Sequence, residues 1–196
     1  MGYLSVKTNL LIAAAAVLGV SSAYAGGPEM MASPSFIPFF YTEAGLGYAQ
    51  TGYQDFYGNN AFGITNATVT DTDNPNGGMT YLGDIGYQFM HNFAVEMGGG
   101  YLPEAKGTLS RPDDTTGTYR SNLKSWFVFA AGRMNMSLIN DKTSLYGKGG
   151  LAYRNLNGEV GERSGSESYF GPFFGAGVSY SIRDNIYVAA EYDHIG

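Results

Sequence analysis

Seven ionisable side chains interrupt stretches that are otherwise apolar or rich in glycine: Glu43, Asp84, Glu96, Arg133, Lys148, Arg154 and Glu191. Charges in such surroundings need partners once buried. Two kinds of chemistry follow. One is a static network of salt bridges that fills an interior. The other is a switch in which charged pairs exchange. Either places Arg133 or Lys148 opposite Glu96. Catalysis finds less support. A hydrolase or transferase needs a positioned nucleophile and base, and the chain has two histidines, His91 in a short turn and His194 near the chain end. No enzymatic activity is expected. Asp71, Asp73, Asp113 and Asp114 lie in polar connections, and their spacing matches no calcium-binding loop. They read as solvated acids, so neither metal nor cofactor is expected. Gly98, Gly99 and Gly100 precede no helix and form no phosphate cradle.

The elements that must carry these charges are strands. Runs of about ten residues alternate with connections that are short, then long: roughly 40–51, 78–89, 93–104, 122–136, 143–156, 169–182 and 186–195. The short turns centre on Met90 to Asn92, Asn140 to Lys142 and Arg183 to Asn185. The long connections cover 52–77, the segment around Arg111 to Asp114, and 157–168. Period-two alternation places Ile186, Val188, Ala190 and Tyr192 on one face, with Tyr187, Ala189, Glu191 and Asp193 on the other. Tyr81, Ile85, Tyr87 and Phe89 lie opposite Asp84 and Gln88. Leu145, Leu151 and Tyr153 lie opposite Lys148 and Arg154. Trp126, Val128, Ala130, Met134 and Met136 share an outer face, which turns Phe127 and Phe129 inward.

Composition suits such strands to a membrane. The chain holds 29 Gly, 16 Tyr and 12 Phe but one Trp, and only 14% of its residues are charged, against about 25% in soluble domains. With no long apolar run after residue 25, closed β-strands are the remaining way to satisfy the backbone in lipid. Short turns on one side and long loops on the other are the outer-membrane pattern, with the short turns in the periplasm.

Residues 1–25 read as an export signal. Lys7 is followed by an apolar run from Leu10 to Val20 and by the small residues Ser21 to Ala25, with cleavage expected after Ala25. That run is too short for a membrane-spanning helix. Removing residues 1–25, with Lys7, leaves 10 basic against 17 acidic residues, a net charge of −7, which disfavours nucleic-acid binding. The chain has no cysteine, so no lipid attachment through one is available. Residues 26–38 read as a leader, and 39–196 as one barrel domain.

Three segments carry a family resemblance. FYTEAGLGYAQ (40–50) resembles the first strand of the OmpA transmembrane-domain family. LYGKGGLAYR (145–154) resembles its fifth strand. FFGAGVSYSIRDNIYVAAEY (173–192) resembles its sixth and seventh strands with their turn. The resemblance, shared with small barrels of the OmpX type, implies an all-β, antiparallel, up-and-down transmembrane barrel. It implies eight strands, of which about seven are present, and a packed polar interior. It also implies a Gram-negative outer-membrane location, with barrel-assembly machinery and periplasmic chaperones as partners. Charged lumen pairs in that family are linked to gating, but the matching positions here are Ser179 and Ala189. Two departures stand out: no peptidoglycan-binding domain follows, and an eighth strand is expected beyond residue 196. The expected function is structural or surface-interacting, with loops that present adhesion, host-contact or phage-binding surfaces. The alternative is a narrow gated pore for small solutes.

Overall fold

The computed structural model describes residues 8–17, 36–51, 68–73, 77–110, 118–138, 142–160, 163–183 and 186–196. Nine strands occur among them: β1 (Thr8–Val17), β2 (Phe39–Thr51), β3 (Thr68–Asp73), β4 (Gly78–Met90), β5 (Phe93–Ser110), β6 (Thr118–Ser137), β7 (Thr143–Val160), β8 (Arg163–Arg183) and β9 (Ile186–Ile195). Seven of them, β2 and β4 to β9, run up and down as antiparallel neighbours and curl into a barrel wall. Among the described residues no helix is long and apolar enough to cross a membrane.

Side-chain alternation makes the wall two-faced. In β2, Tyr41, Glu43, Gly45, Gly47 and Ala49 are buried, while Phe40, Thr42, Ala44, Leu46 and Tyr48 are exposed. The exposed set continues through Tyr81, Ile85, Met97, Tyr101, Val128, Leu151 and Phe170. So many exposed large apolar side chains would be an aggregation surface in water and are the normal outer face of a barrel in lipid. Phe127 and Phe129 point inward as the alternation requires, and both are buried.

Short turns close one end. Gln88 Nε2 donates to the His91 carbonyl at 2.8 Å. Asn92 Nδ2 donates to the Asn135 carbonyl at 2.9 Å, and the Asn135 N–H returns a bond to the Asn92 carbonyl. The Asn92–Asn135 pair of bonds fixes the register of β5 on β6. At the opposite end of β4, Gly77 has φ of +141° and lies against the Ala49 carbonyl of β2. A side chain there would combine backbone strain with a collision, so glycine is required.

The long-loop end differs from the sequence reading. The connection over 52–77 contains β3, which pairs with β5 from Lys106 to Ser110. Of the segment 157–168, expected as a loop, residues 157–160 continue β7 and 163–168 belong to β8, paired as far as Val160 with Arg163; 161–162 lie outside the described residues. Its polar Asn, Ser, Gly and Glu residues carry no apolar alternation, and the backbone ladder alone sustains it. Arg111 to Asp114 lie outside the described residues.

The amino-terminal segment also differs. Thr8–Val17, read as the core of an export signal, pairs antiparallel with β2 on one side and β9 on the other. Its Thr8 end meets Thr51 and Ile195, and its Val17 end meets Tyr187. This is the position and direction expected of an eighth strand, and with β1 the ring has eight. The physical cause is the edge penalty. Each unsatisfied backbone group in hydrocarbon costs several kcal/mol, and an apolar ten-residue segment relieves both edges. The expected cleavage after Ala25 falls outside the described residues, as does the leader up to residue 35.

Candidate functional site

Five of the seven charges singled out in the sequence meet in one ion-pair network in the lower lumen. β2 brings Glu43, β5 Glu96, β6 Arg133, β7 Lys148 and β9 Glu191, each from an inward strand position. Arg133 Nη1 bridges Glu43 Oε1 at 2.5 Å and Glu96 Oε1 at 2.9 Å. Lys148 Nζ reaches Glu96 Oε2 at 2.8 Å, Glu191 Oε2 at 2.9 Å and Glu43 Oε2 at 3.6 Å. Both cations thus face Glu96, whose side chain is fully enclosed. Arg133 Nε also donates to Asn135 Oδ1 at 2.8 Å.

Tyrosines complete the shell. Tyr41 donates its hydroxyl to Glu96 Oε1 at 2.5 Å, and Tyr187 donates to Glu43 Oε1. The Arg133 guanidinium lies 3.8 Å from the centre of the Tyr146 ring, within cation–π range. The sequence reading did not count these three tyrosines among the site residues, although it placed Tyr187 on the face of Glu191. Their signal was parity: Tyr41 is two residues from Glu43, and Tyr187 is four from Glu191, so each shares its neighbour's face. Asp193 has the same parity and is also buried.

The other two charges behave differently. Asp84 is buried directly opposite Glu43 in the β2–β4 ladder, but neither of its carboxylate oxygens has a hydrogen-bond partner among the described residues. Arg154 stands apart from the network, six residues further along β7. Its Nε donates to Ser125 Oγ at 2.8 Å and its Nη1 to the Tyr169 hydroxyl at 3.0 Å.

Between these polar layers lies an apolar one. Phe127 and Phe129 stack at 6.4 Å, and Phe129 and Phe173 at 4.4 Å. Leu102, Ala152 and Ile195 join the same cluster. The lumen is therefore filled from below by ion pairs and above them by packed rings. Ser179 and Ala189 face each other in the β8–β9 ladder and carry no charge, so β9 joins the network through Glu191 instead.

An apolar outer face, a polar filled lumen and a wall of antiparallel hairpins define a transmembrane β-barrel of the outer-membrane type. The chain belongs to the outer membrane protein β-barrel domain family, whose match spans residues 11–196. Among curated proteins none matches. Among solved structures, the attachment invasion locus protein Ail of Yersinia pestis aligns at 17% identity and a TM-score of 0.37. The alignment covers 78% of this chain and 94% of that one. Ail in complex with the heparin analogue sucrose octasulfate aligns at 14% identity, with the same TM-score and coverage.

Proposed function

We propose that this barrel is a non-catalytic surface-interaction protein, anchored in the outer membrane and presenting its long-loop end to other molecules. The carrying observation is the extension of β5 to β8 past the outer aromatic row of Tyr101, Trp126, Tyr153 and Phe170. From that row β5 continues to Ser110, β6 back to Thr118, β7 to Val160 and β8 back to Arg163. At about 3.3 Å per residue, these ladders rise roughly 20–30 Å along the strands beyond the row. Their sequence changes as they leave it, from aromatic to Lys, Asn, Ser, Gly and Glu. A hydrogen-bonded sheet holds loop tips at fixed spacing, which suits recognition of a host-cell, matrix or phage surface. Export by a cleaved signal and insertion by the barrel-assembly machinery, with periplasmic chaperones, belong to the same reading; cleavage after Ala25 would take β1 with it and free the β2 and β9 edges for another strand.

The filled lumen supports this role over a pore. Reconstitution of the full chain in planar bilayers is expected to give no discrete ion steps, and intact cells expressing it are expected to gain adherence that is lost when residues 157–168 are replaced by a short turn. Regular ion steps would return the chain to the narrow-pore reading.

A further inference from the structure

The seam between β2 and β9 is filled by a strand that matches it poorly. β1 pairs with β9 from Thr8 to Ile12 and again from Ala15 to Val17, with an irregularity between. On β2 it pairs only from Thr8 to Leu11, opposite Thr51 to Tyr48. Below Tyr48 the seam edge of β2 has no ladder partner among the described residues. The two edges are nonetheless in step. Leu10 stands opposite both Ala49 and Asp193. The same register, continued without an irregularity, sets Gly47 across from Glu191, Gly45 across from Ala189 and Glu43 across from Tyr187. The Tyr187 hydroxyl already donates to Glu43 across the seam. A regular antiparallel strand therefore fits between the two edges.

The lumen side of this seam is acidic and lined by small residues. Gly45, Gly47, Ala49 and Ala189 are buried there, and Glu191 and Asp193 stand on β9 beside them. Arg133 and Lys148 are already shared among Glu43, Glu96 and Glu191. Asp193 is 3% exposed, enters no ion pair among the described residues, and has one oxygen without a hydrogen-bond partner there. Asp84 adds a further buried carboxylate. β1 brings no cation to this excess. Thr8–Val17 contains no charged residue, and the positions opposite Asp193 and Glu191 are Leu10 and Ile12.

We infer that the mature barrel seats a different strand in this seam, apolar on its lipid side and carrying a lysine or arginine at the position that Ile12 holds here. The inference rests on removal of residues 1–25 with the signal. That position lies between Glu191 and Gly47. Glycine leaves space for a long side chain, Glu191 is directly opposite, and Asp193 is the diagonal neighbour, within reach of a long side chain. A third cation gives the buried carboxylates the partner they require. A regular strand also makes the backbone bonds along β2 that β1 leaves unmade, which are costly to omit in hydrocarbon.

The full chain refolded in phospholipid vesicles tests the demand for a cation, because β1 is still present in it. Ile12→Lys should raise the urea midpoint, although it puts a charge where an apolar residue stood. Ile12→Met, a control for shape, should change it little. Leu11→Lys, opposite the exposed Tyr48 and Tyr192, should lower it. Adding Asp193→Asn to Ile12→Lys should remove part of the gain. A midpoint for Ile12→Lys no higher than that of Ile12→Met overturns the inference, as does failure of the lysine variant to refold where the methionine variant refolds. In cells, a photoreactive phenylalanine at Tyr192 should capture the strand in the seam. Mass spectrometry of the crosslinked peptide should show alternating residues with an inward Lys or Arg, and a neutral strand overturns the inference. The mass of the chain in isolated outer membranes separates this inference from the cleavage reading. Residues 1–25 still present refute both, whereas a cleaved chain whose seam gains nothing from the cation refutes the inference alone.

Discussion

The rings of Phe129 and Phe173 lie 4.4 Å apart and 12° from parallel, stacked over β7 between β6 and β8. They separate two polar compartments of one lumen. Below are the ion pairs around Glu96, and above is Arg154 with Ser125 and Tyr169. An apolar layer between charged layers excludes water from the lower one, which strengthens every ion pair in it. On the surface-interaction reading the same layer closes the path through the barrel.

Truncating this layer should therefore affect both stability and permeability. Phe129→Ala removes a ring that is 5% exposed and should cost about 3–5 kcal/mol, read from urea unfolding in detergent. It should also admit small ions in planar bilayers where the wild type admits none. A stable variant that remains closed would show that Phe127 and Phe173 suffice to seal the lumen.

Glu96 is the hub of the network, and its removal should be more damaging than any surface substitution. Glu96→Ala leaves Arg133 and Lys148 each short of a partner in an enclosed space. Breaking a buried ion pair from one side costs about 3–5 kcal/mol. The expected loss is of that size and should change little with added salt, because buried pairs are poorly screened. Unchanged unfolding together with unchanged conductance in Glu96→Ala would sink the packed-network and the gate readings alike.

Much of this was legible in the sequence, and the reason is period two. A strand with one face in lipid and one in a narrow lumen writes its orientation into every second residue. Glu43, Glu96, Arg133, Lys148 and Glu191 stood out because charges are rare on either side of such a wall. Phe127 and Phe129 turn inward by the same logic, and their rings lie over glycines of β5: a Cβ on Gly98 would meet Phe129 Cε1 at 2.8 Å and one on Gly100 would meet Phe127 Cε1 at 3.0 Å. The upper halves of β7 and β8 were not legible, since strands in water need no apolar alternation. The Thr8–Val17 segment was ambiguous at the level of physics: an apolar ten-residue run fits an export signal and a barrel strand equally. The pairing of Tyr41 with Glu96 joins residues 55 apart in sequence, and only the register of the β2–β4–β5 ladders brings them together.

The glycines of the wall divide into those that are packed and those that are not, and alanine substitution should separate them. A Cβ on Gly98 would meet Asp84 Cβ at 2.5 Å, the Gly83 carbonyl at 2.7 Å and Phe129 Cε1 at 2.8 Å. One of those neighbours is backbone and cannot step aside, so Gly98→Ala should cost about 1–3 kcal/mol through overpacking. A Cβ on Gly149 meets nothing within 4 Å. Gly149→Ala should be neutral or slightly stabilising, because alanine reduces the freedom of the unfolded chain. Parallel urea titrations of the two variants check this, and equal losses would contradict the packing described around Gly98.

The outer face offers the most direct test of the membrane assignment. Met97 is 65% exposed and lies on β5 midway between Phe93 and Tyr101, themselves exposed outward. Arginine at the bilayer midplane of a barrel's lipid face costs about 2–4 kcal/mol. Met97→Arg should reach that cost in phospholipid vesicles. Lys124→Ala, by contrast, removes an exposed partner of Glu104 beyond the aromatic row, where surface pairs contribute about 0–1 kcal/mol, and should change little. The ordering of the two variants is the informative result. Arginine at Met97 faces hydrocarbon only if this side of the wall lies in lipid, whereas in a water-facing sheet it would be as harmless as the change at Lys124. Comparable unfolding midpoints for the two variants in vesicles would place the Met97 face in water and remove the physical basis for a membrane-spanning wall.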